Sequence, residues 1–257
     1  DIISFDIFDT LLIRKVLYPH TIFDIIEKKL QKVGLKIPSF SKLRLEVSSN
    51  LDKKNPAPNI YEIYDEIQQI IHISDKEKRF LIDLEIDVEK SFIEPRDSML
   101  KLFNEIKKYK SIYLVSNMYF TEDILEDILH ACGYIGYKEI LISCEYRKSK
   151  QDGLFNSLVK KVKVSANQIL HIGDSCILDK VEPQKVGIEV FPIMSMIDML
   201  ANSSYSMAVD YDKGILNKII LGHFLKYAFD DPFILYETKG RLKVSKIAVY
   251  VKMFLSP

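Results

Sequence analysis

The chain has 257 residues, 47% of them apolar, and its 36 Lys and Arg side chains balance 36 Asp and Glu side chains. The length suits one core domain with a smaller insertion. The zero net charge excludes a global positive field for binding nucleic acid, and no apolar stretch is long enough to span a membrane. The three cysteines lack metal-ligand spacing and indicate reduced thiols, so we expect a cytoplasmic protein.

The chain begins with an apolar run that is typical of a buried strand, Ile2–Phe5. Residues 15–94 then show no strand pattern and contain four stretches with helical spacing, separated by Gly, Pro and Ser. These stretches are His20–Lys32, Ser41–Leu51, Ile60–Ile71 and Asp75–Phe92. We interpret residues 15–94 as an all-helical cap domain inserted after the first strand.

Strand and helix patterns alternate after the insertion. The strand patterns are Ser111–Val115, Glu139–Ser143, Gln168–Ile172 and Glu189–Pro192. The helix patterns are Pro95–Tyr109, Thr121–Cys132, Gly153–Val162 and Asp179–Val186. Such alternation predicts βαβ units and a parallel sheet with helices on both faces, which is a three-layer, Rossmann-like α/β fold. The predicted core domain comprises residues 1–14 and 95–195.

The tail of the chain, residues 196–257, is less regular. Gly214–Tyr227 and Leu242–Leu255 have helical spacing, and Asp230-Asp231-Pro232 separates them. We interpret this tail as a helical extension or a connector to another domain. The chain starts without Met and ends abruptly, so we expect it to be a truncated piece of a longer protein.

Polar side chains follow each predicted strand of the core. They are Asp6, Asp9 and Thr10 after the first strand, Ser116 and Asn117 after the second, Lys148 and Lys150 near the third, and Asp174 and Asp179 after the fourth. Ligands of open parallel sheets bind at the carboxyl ends of the strands, so we expect these groups to converge. Carboxylates suit Mg²⁺, and a hydroxyl with an ammonium suits a phosphoryl group.

Four of these segments resemble, in order and spacing, the sequence motifs of the haloacid dehalogenase (HAD) superfamily. Residues 3–11 (ISFDIFDTL) resemble the first motif, and Leu114–Asn117 resembles the second. Lys150, ahead of Gly153, resembles the third, and residues 171–179 (HIGDSCILD) resemble the fourth. The resemblance implies a HAD-like core with a C1-type cap, which is the cap that follows the first motif.

The resemblance also implies a role for each matching residue. Asp6 is expected to be the nucleophile that forms an aspartyl-phosphate. The expected ligands of a Mg²⁺ cofactor are the Asp6 and Asp174 carboxylates and the backbone carbonyl of Phe8, with Asp179 supporting the metal site. The other catalytic residues are expected to be Thr10, which braces the turn, and Ser116 and Lys150, which bind phosphate oxygens. Asn117 and Asp9 are candidate substrate-binding residues.

The first motif departs from the pattern of phosphatases in this superfamily at Phe8. Those enzymes carry a second aspartate there, which protonates the leaving group and then activates water. General acid–base help is typically worth about 10²–10⁴-fold in rate. Asp9, an acid from the cap or a good leaving group could compensate, although the Asp9 side chain is expected to point elsewhere. Otherwise the chain is a catalytically weak binding or scaffold module.

An aromatic residue at this position is also found in the dehalogenases of the superfamily, which attack carbon without Mg²⁺. We regard dehalogenation as the weaker interpretation, because a negatively charged halogenated acid gains nothing from Asp174 and Asp179. The sequences around Asp6 and Ser116 further resemble predicted hydrolase domains from bacterial surface-polysaccharide gene clusters. Those domains are often fused to glycosyltransferases. Asn117 stands where that group more often has Asp.

The sequence therefore predicts a Mg²⁺-dependent phosphohydrolase that acts on a small phosphate monoester, such as a sugar phosphate. A cap after the first motif would close over a small metabolite, and the short segment between the second and third motifs leaves no room for a second cap. We expect neither nucleic acid nor a membrane as a partner, and we expect an association with a glycosyltransferase domain. Candidate cap residues are Tyr18, His20, Arg44, Tyr61 and Tyr64.

Overall fold

A computed structural model describes residues 2–35, 37–211 and 214–234 of the protein. The strands, in chain order, are β1 (Ile2–Phe5), β2 (Leu12–Arg14), β3 (Ile93–Pro95), β4 (Ser111–Ser116), β5 (Glu139–Ile142), β6 (Ile169–Gly173) and β7 (Glu189–Pro192). Five of them form a parallel sheet in the order β5-β4-β1-β6-β7. The prediction of a parallel, Rossmann-like α/β sheet is confirmed.

The helices in chain order are α1 (Thr21–Lys32), α2 (Phe40–Lys54), α3 (Ile60–Ile71), α4 (Asp75–Phe92), α5 (Asp97–Ile106), α6 (Glu122–Ala131), α7 (Ser143–Tyr146), α8 (Leu154–Val162), α9 (Glu182–Lys185), α10 (Met196–Ala201) and α11 (Ile215–Phe229). A π-helical turn, Cys176–Val181, precedes α9, and short 3₁₀ turns occur at Ala166–Gln168 and Ser206–Tyr211. The last predicted helix, Leu242–Leu255, lies outside the described residues.

The helical insertion comprises α1 to α4 and lies between β2 and β3. These two strands pair antiparallel as a separate ribbon, with Leu12 opposite Pro95 and Arg14 opposite Ile93. The expectation that residues 15–94 contain no strand is therefore wrong at Ile93 and Glu94. Strands of three residues are too short for side-chain alternation to reveal them, and this pair is fixed by backbone hydrogen bonds instead.

Local sequence signals define the starts of α3 and α4. Asn59 and Glu62 form a reciprocal capping box at the first helix, and Ser74 and Glu77 form one at the second. Each box satisfies backbone N–H groups that have no partner inside the helix. These caps explain why the predicted first residues of both helices match the structure.

One continuous apolar core joins the sheet to the insertion. It runs from Phe5 and Leu11 beside the sheet, through Met118 after β4, to Phe40 and Ile63 of the insertion. Because each of these side chains is almost completely removed from water, the burial holds the insertion against the edge of the sheet where the strands end. This is the edge at which the sequence places the polar residues.

Helix α11 lies against the chain segment that leads into the insertion. A Cβ atom on Gly222 would lie 2.2 Å from the backbone nitrogen of Val16, so only glycine permits this approach. The Leu17 N–H donates to the carbonyl of Lys218 at 2.9 Å. Among the helices that the structure describes, none combines the length and hydropathy needed to cross a bilayer.

Candidate active site

The carboxyl ends of β1, β4 and β6 meet at one edge of the sheet because these strands are parallel neighbours. Phe5 pairs with Leu114 on one side and with Ile172 on the other. The Asp6 N–H continues the ladder by donating to the Ile172 carbonyl at 2.9 Å. Asp6 is therefore held on a regular strand end, where it is 6% exposed. Ser116 ends β4 at the same edge and is buried.

The turn after Asp6 is fixed by backbone hydrogen bonds. The Leu11 and Leu12 N–H groups both donate to the Ile7 carbonyl at 2.8 Å, and the Asp9 N–H donates to the Leu12 carbonyl at 2.7 Å. Asp9 has a φ of 61°, a left-handed conformation that Asp tolerates better than most residues. The Thr10 hydroxyl donates to Asp174 Oδ1 at 3.0 Å. This bond links the turn to the carboxylate that follows β6.

Lys150 reaches Asp6 from the loop before α8. Its Nζ donates to Asp6 Oδ1 and, at 2.5 Å, to Asp179 Oδ1. Burial works to lower the pKa of Lys150, but the two carboxylates outweigh it and raise the pKa, so the ammonium stays charged. The backbone N–H of Lys150 donates to Asn117 Oδ1 at 2.8 Å, and this hydrogen bond positions the loop. Lys148, the neighbouring lysine, is exposed.

Asp179 is surrounded by donors. Besides Lys150, its carboxylate accepts from the Ser175 N–H at 3.1 Å and contacts His171 Nε2 at 3.0 Å. Burial works to raise the pKa of Asp179, but Lys150 and His171 hold it below its usual range. Gly173 makes room for this carboxylate, since a Cβ there would lie 2.5 Å from Asp179 Cβ and Cγ.

His171 connects this carboxylate to the strand behind it. Burial lowers the pKa of His171, so the ring is neutral at pH 7. Because the Asp179 carboxylate only accepts, His171 Nε2 carries the proton, and Nδ1 accepts from the Ser4 hydroxyl at 2.9 Å. The sequence predicts only a packing role for His171. A polar residue on each of two adjacent buried strands, Ser4 and His171, was the available signal for this link.

The site has an excess of negative charge. One carboxylate oxygen from each of Asp6, Asp174 and Asp179 lies within 4.8 Å of the other two, and Lys150 pairs with two of these carboxylates, Asp6 and Asp179. Burial raises the pKa of Asp6 to about 7, and burial together with Asp6 and Asp9 raises the pKa of Asp174 well above its usual range. These three carboxylates outnumber the Lys150 ammonium, and they offer the oxygen ligands that Mg²⁺ prefers. The group therefore fits a divalent cation such as Mg²⁺.

Phe8 lies two residues after Asp6 and is covered by a cation. The guanidinium carbon of Arg14 is 4.0 Å from the Phe8 ring centroid, within the range of a cation–π contact. Arg14 Nε donates to Glu89 Oε1 at 2.5 Å, and Glu89 belongs to α4 of the insertion. The position two residues after Asp6 is therefore occupied by an aromatic ring and not by an acid. That ring lies under an arginine that is paired with Glu89.

A second buried ion pair lies inside the insertion. Arg44 donates from Nε and Nη2 to the two oxygens of Glu85 at 2.8 and 2.7 Å, and the Tyr64 hydroxyl donates to Glu85 at 2.7 Å. The Arg44 guanidinium lies 4.7 Å from the ring centroid of Tyr119, which follows β4. This contact ties the insertion to the segment that carries Ser116 and Asn117.

The five candidate cap residues fall into two groups. Arg44 and Tyr64 are buried in the ion-pair cluster just described. Tyr18 and His20 stack on each other, with centroids 5.4 Å apart, and Tyr61 is 44% exposed. The sequence prediction missed Glu85 and Glu89. These acids, four residues apart on α4, share a face with buried apolar residues such as Leu81 and Val88, and that mismatch was the signal for them.

Comparison with known proteins identifies the fold. No protein-family model matches this chain, and no curated protein sequence matches it. Among solved structures, a 2-haloacid dehalogenase from Pseudomonas syringae pv. Tomato is similar with a TM-score of 0.56 and 15% identity, covering 75% of this chain and 86% of that chain. The HAD-hydrolase YfnB from Bacillus subtilis, bound to magnesium, gives a TM-score of 0.51 at 14% identity over 75% of this chain and 87% of its own.

A third structure is the HAD family enzyme bt-2542 from Bacteroides thetaiotaomicron, in complex with magnesium and inorganic phosphate. It gives a TM-score of 0.54 at 17% identity and covers 76% of this chain and 94% of its own. These likenesses confirm the predicted HAD-like fold. They include a dehalogenase as well as magnesium-bound hydrolases, so the fold does not choose the reaction. The narrower resemblance to surface-polysaccharide clusters and the association with a glycosyltransferase gain no support and stay predictions.

Proposed function

We propose that this protein is a Mg²⁺-dependent phosphohydrolase that cleaves small phosphate monoesters through an aspartyl-phosphate on Asp6. The observation that carries the proposal is the group of three carboxylates, the buried Asp6 and Asp179 and the half-buried Asp174, whose oxygens lie within 4.8 Å of one another and of which Asp6 and Asp179 share the Lys150 ammonium. Such a charge excess is costly to bury unless a cation neutralises it. The magnesium-bound structures with this fold support the same assignment.

The partners of each carboxylate indicate which ones would hold the metal. Both Asp179 oxygens already accept hydrogen bonds, from Lys150 and His171 on one side and Ser175 on the other. Asp174 has the Thr10 hydroxyl on one oxygen. We therefore assign Asp6, Asp174 and the Phe8 carbonyl as ligands and Asp179 as the residue that positions Lys150. Bound Mg²⁺ would polarise phosphoryl oxygens and screen the nucleophile from the anionic substrate.

The residues of the chain then carry the reaction in two displacements. An Asp6 oxygen forms a bond to phosphorus while the bond from phosphorus to the leaving oxygen breaks. A water oxygen next attacks the same phosphorus, which releases phosphate and regenerates the Asp6 carboxylate. Lys150 has three N–H donors, of which two bind Asp6 and Asp179, so one remains for a phosphoryl oxygen. The Ser116 hydroxyl at the end of β4 would bind a second.

Phe8 limits the kind of leaving group that this site handles well. Neither the ring nor the Arg14 guanidinium above it can give a proton to a departing alkoxide. Substrates whose leaving group departs as a stable anion, such as aryl phosphates, avoid this requirement. The same observation favours a second candidate function, in which the protein binds phosphorylated ligands and turns them over weakly.

We also interpret the helical insertion as a cap that selects small substrates. Apart from the shared apolar core, the insertion contacts residues on the site side of the sheet at three places. The Ile60 N–H donates to the Tyr119 carbonyl at 2.7 Å, Arg147 after β5 pairs with Glu62 of α3 at 2.7 Å, and Arg44 stacks on Tyr119. An insertion held this closely over the strand ends would exclude macromolecular substrates and water.

Dehalogenation, the activity named for one similar structure, fits the site less well. A halogenated acid is an anion, and it would approach three carboxylates with one ammonium to offset them. Like charges at this distance disfavour binding without a metal ion. The chemistry of the donor set therefore favours a phosphoryl substrate.

Phosphate release tests the proposal. The substrates are a panel of sugar phosphates and p-nitrophenyl phosphate, each assayed with Mg²⁺ and with a chelator. We expect Mg²⁺-dependent turnover that disappears in Asp6→Asn. A matched control is Asp127→Asn, which removes an exposed carboxylate on α6 and should retain full activity. Turnover that persists in Asp6→Asn or in the chelator contradicts the proposal, and Mg²⁺ binding without turnover of any ester supports the weak binding module.

A further inference from the structure

Arg96 is a completely buried cation behind the candidate active site. It follows β3, and it is 0% exposed. Among the residues that the structure describes, every oxygen acceptor of its guanidinium is a backbone carbonyl, those of Asp9, Met194, Phe229 and Asp230. A buried guanidinium without a hydrogen-bonded carboxylate is unusual, because burial of a charge normally requires a charged partner. The proposed reaction uses no part of this residue.

The first of these acceptors belongs to the turn that follows the nucleophile. Arg96 Nη1 donates to the Asp9 carbonyl at 2.8 Å, and the Arg96 N–H donates to the Leu11 carbonyl at 2.8 Å. Asp9 is the residue with the left-handed backbone, and the Phe8 carbonyl lies one residue before it. A conformation of this kind persists when its surroundings fix it, and Arg96 supplies two of the fixing bonds.

The other acceptors connect Arg96 to the tail of the chain. Its Nε donates to the Asp230 carbonyl at 2.7 Å and Nη2 to the Phe229 carbonyl at 3.2 Å. These carbonyls stand at the C-terminal end of α11, where carbonyl groups lack partners inside the helix and the helix dipole favours a cation. Arg96 therefore satisfies the end of α11 and the turn of the active site with one side chain.

Further bonds dock the same end of α11 onto the start of α5. The Asp230 carboxylate accepts from the Asp97 and Ser98 N–H groups at 2.9 and 3.0 Å, so it caps α5 from outside. Lys226 donates to the Pro95 carbonyl at 2.7 Å. With Gly222 against the backbone of Val16, α11 contacts both chain segments that connect the insertion to the core.

We propose that Arg96 is a positioning residue that links the docking of α11 to the geometry of the Phe8–Asp9 turn, so that undocking α11 weakens the divalent-cation site. The inference rests on the proposed function, because it assigns that turn to the metal. It gives α11, whose described side chains are not among the site residues named above, a role in assembling the site. Thermodynamic linkage then requires that a bound cation strengthens the docking of α11 by the same factor.

Charge and geometry make opposite predictions at Arg96, which allows them to be separated. If Arg96 acted only through its charge, Arg96→Met would remove a repulsion and tighten cation binding, and Arg96→Lys would leave it unchanged. If Arg96 positions the turn, both variants weaken binding, because lysine cannot hold the same four carbonyls. Replacing residues that orient a metal site typically costs about 10–100-fold in affinity.

The experiment measures Mn²⁺ affinity by titration calorimetry on the full chain, with circular dichroism as a check of folding. We expect at least about a tenfold loss of affinity in Arg96→Met and in Arg96→Lys. Gly222→Val should undock α11 at a distance from Arg96 and cause a similar loss. His223→Ala changes the adjacent, exposed position of α11 and should bind Mn²⁺ like the wild type. An affinity within twofold of wild type in both Arg96 variants overturns the proposal.

A measurement on the unaltered protein covers the case in which these variants do not fold. Hydrogen exchange of the α11 amides is compared with and without saturating Mn²⁺. We expect slower exchange across residues 215–229 when Mn²⁺ is bound, and equal exchange overturns the link between α11 and the site. A wild-type protein that binds no Mn²⁺ overturns the proposed function as well, whereas Mn²⁺ binding without any effect on α11 overturns this inference alone.

Discussion

The guanidinium of Arg14 covers the ring of Phe8 at 4.0 Å, directly beside the turn that follows Asp6. Arg14 ends β2, and its other partner, Glu89, lies on α4 of the insertion. The position from which an acid would serve the leaving group is therefore apolar, capped by a cation and connected to the insertion. This arrangement determines which leaving groups the site is expected to handle well.

Restoring an acid at this position should accelerate hydrolysis of alkyl phosphates. We expect Phe8→Asp to raise kcat/KM by up to about 10²–10⁴-fold for a sugar phosphate and by less for p-nitrophenyl phosphate, whose leaving group needs little protonation. Phe8→Leu is the matched control without an acid. Because Arg14 would keep the new carboxyl ionised, Phe8→Asp combined with Arg14→Met and Glu89→Leu, which leaves no unpaired buried carboxylate, should be faster still. Equal rates for Phe8→Asp and Phe8→Leu would contradict this account.

The stability of the metal-free protein should fall as pH rises. Burial raises the pKa of Asp6 to about 7, whereas an unfolded Asp titrates near its model value of 3.8. The folded state then binds more protons at Asp6 between these two values, so Asp6 lowers the free energy of unfolding by about 1 kcal/mol per pH unit across pH 5–7. The lowered pKa of His171 acts in the opposite direction below its ordinary value of 6.5, so the contribution of Asp6 is the difference between the wild type and Asp6→Asn. Asp179, whose pKa is lowered, loses its contribution only below that window.

Thermal unfolding in a chelator at pH 5, 6, 7 and 8 measures this effect. Asp6→Asn should flatten the profile and be more stable than the wild type at pH 8, because it removes a buried charge. Added Mg²⁺ should restore wild-type stability at pH 8 in a concentration-dependent way. Identical metal-free pH profiles for the wild type and Asp6→Asn would show that Asp6 is not the group whose burial costs stability.

The link from Ser4 through His171 to Asp179 should contribute to stability. His171→Leu leaves a buried carboxylate with one donor fewer and a buried hydroxyl without its acceptor, and we expect a loss of about 1–3 kcal/mol in the free energy of unfolding. Ser4→Ala should cost less. Urea unfolding of both variants and of the double variant measures the energies, and strictly additive losses would indicate that the two residues act independently.

Removing one partner of the Arg44–Glu85 pair should lower the free energy of unfolding strongly, whereas replacing both partners should lower it less. Arg44→Met leaves the Glu85 carboxyl without its cation at 0% exposure, and we expect a loss of about 3–5 kcal/mol. The double variant Arg44→Met with Glu85→Leu should recover much of this loss, leaving the Tyr64 hydroxyl as the unsatisfied group. Urea unfolding tests this as well. A double variant that is less stable than Arg44→Met would mean that the pair itself is a strong net stabiliser.

Local patterns in the sequence were sufficient for the parts of the fold that depend on local physics. The buried strands show continuous apolar runs, and capping boxes mark the starts of α3 and α4. The convergence of Asp6, Asp174 and Lys150 also follows, because parallel strands bring their carboxyl ends to one edge. These predictions required only strand order and spacing.

Relationships over long chain distances were not predictable in this way. The partners of Arg96 lie in the turn after β1, in the segment after β7 and at the end of α11, and no local spacing connects them. The pair of Arg14 with Glu89 spans the whole insertion. A buried charge satisfied by distant backbone carbonyls has the same sequence appearance as a solvated surface arginine, so only the packed structure distinguishes them.

The β2–β3 ribbon has a consequence for how this architecture can vary. The insertion leaves the core at Arg14 and returns at Ile93, and these two residues are paired across the ribbon. Opposite residues of antiparallel strands have Cα atoms only about 4.5–5.5 Å apart. A different inserted domain whose ends lie that close together could replace the present insertion at the same junction without changing the path of the core chain. New substrate preferences could therefore arise by replacement of the insertion while the residues at the strand ends stay unchanged.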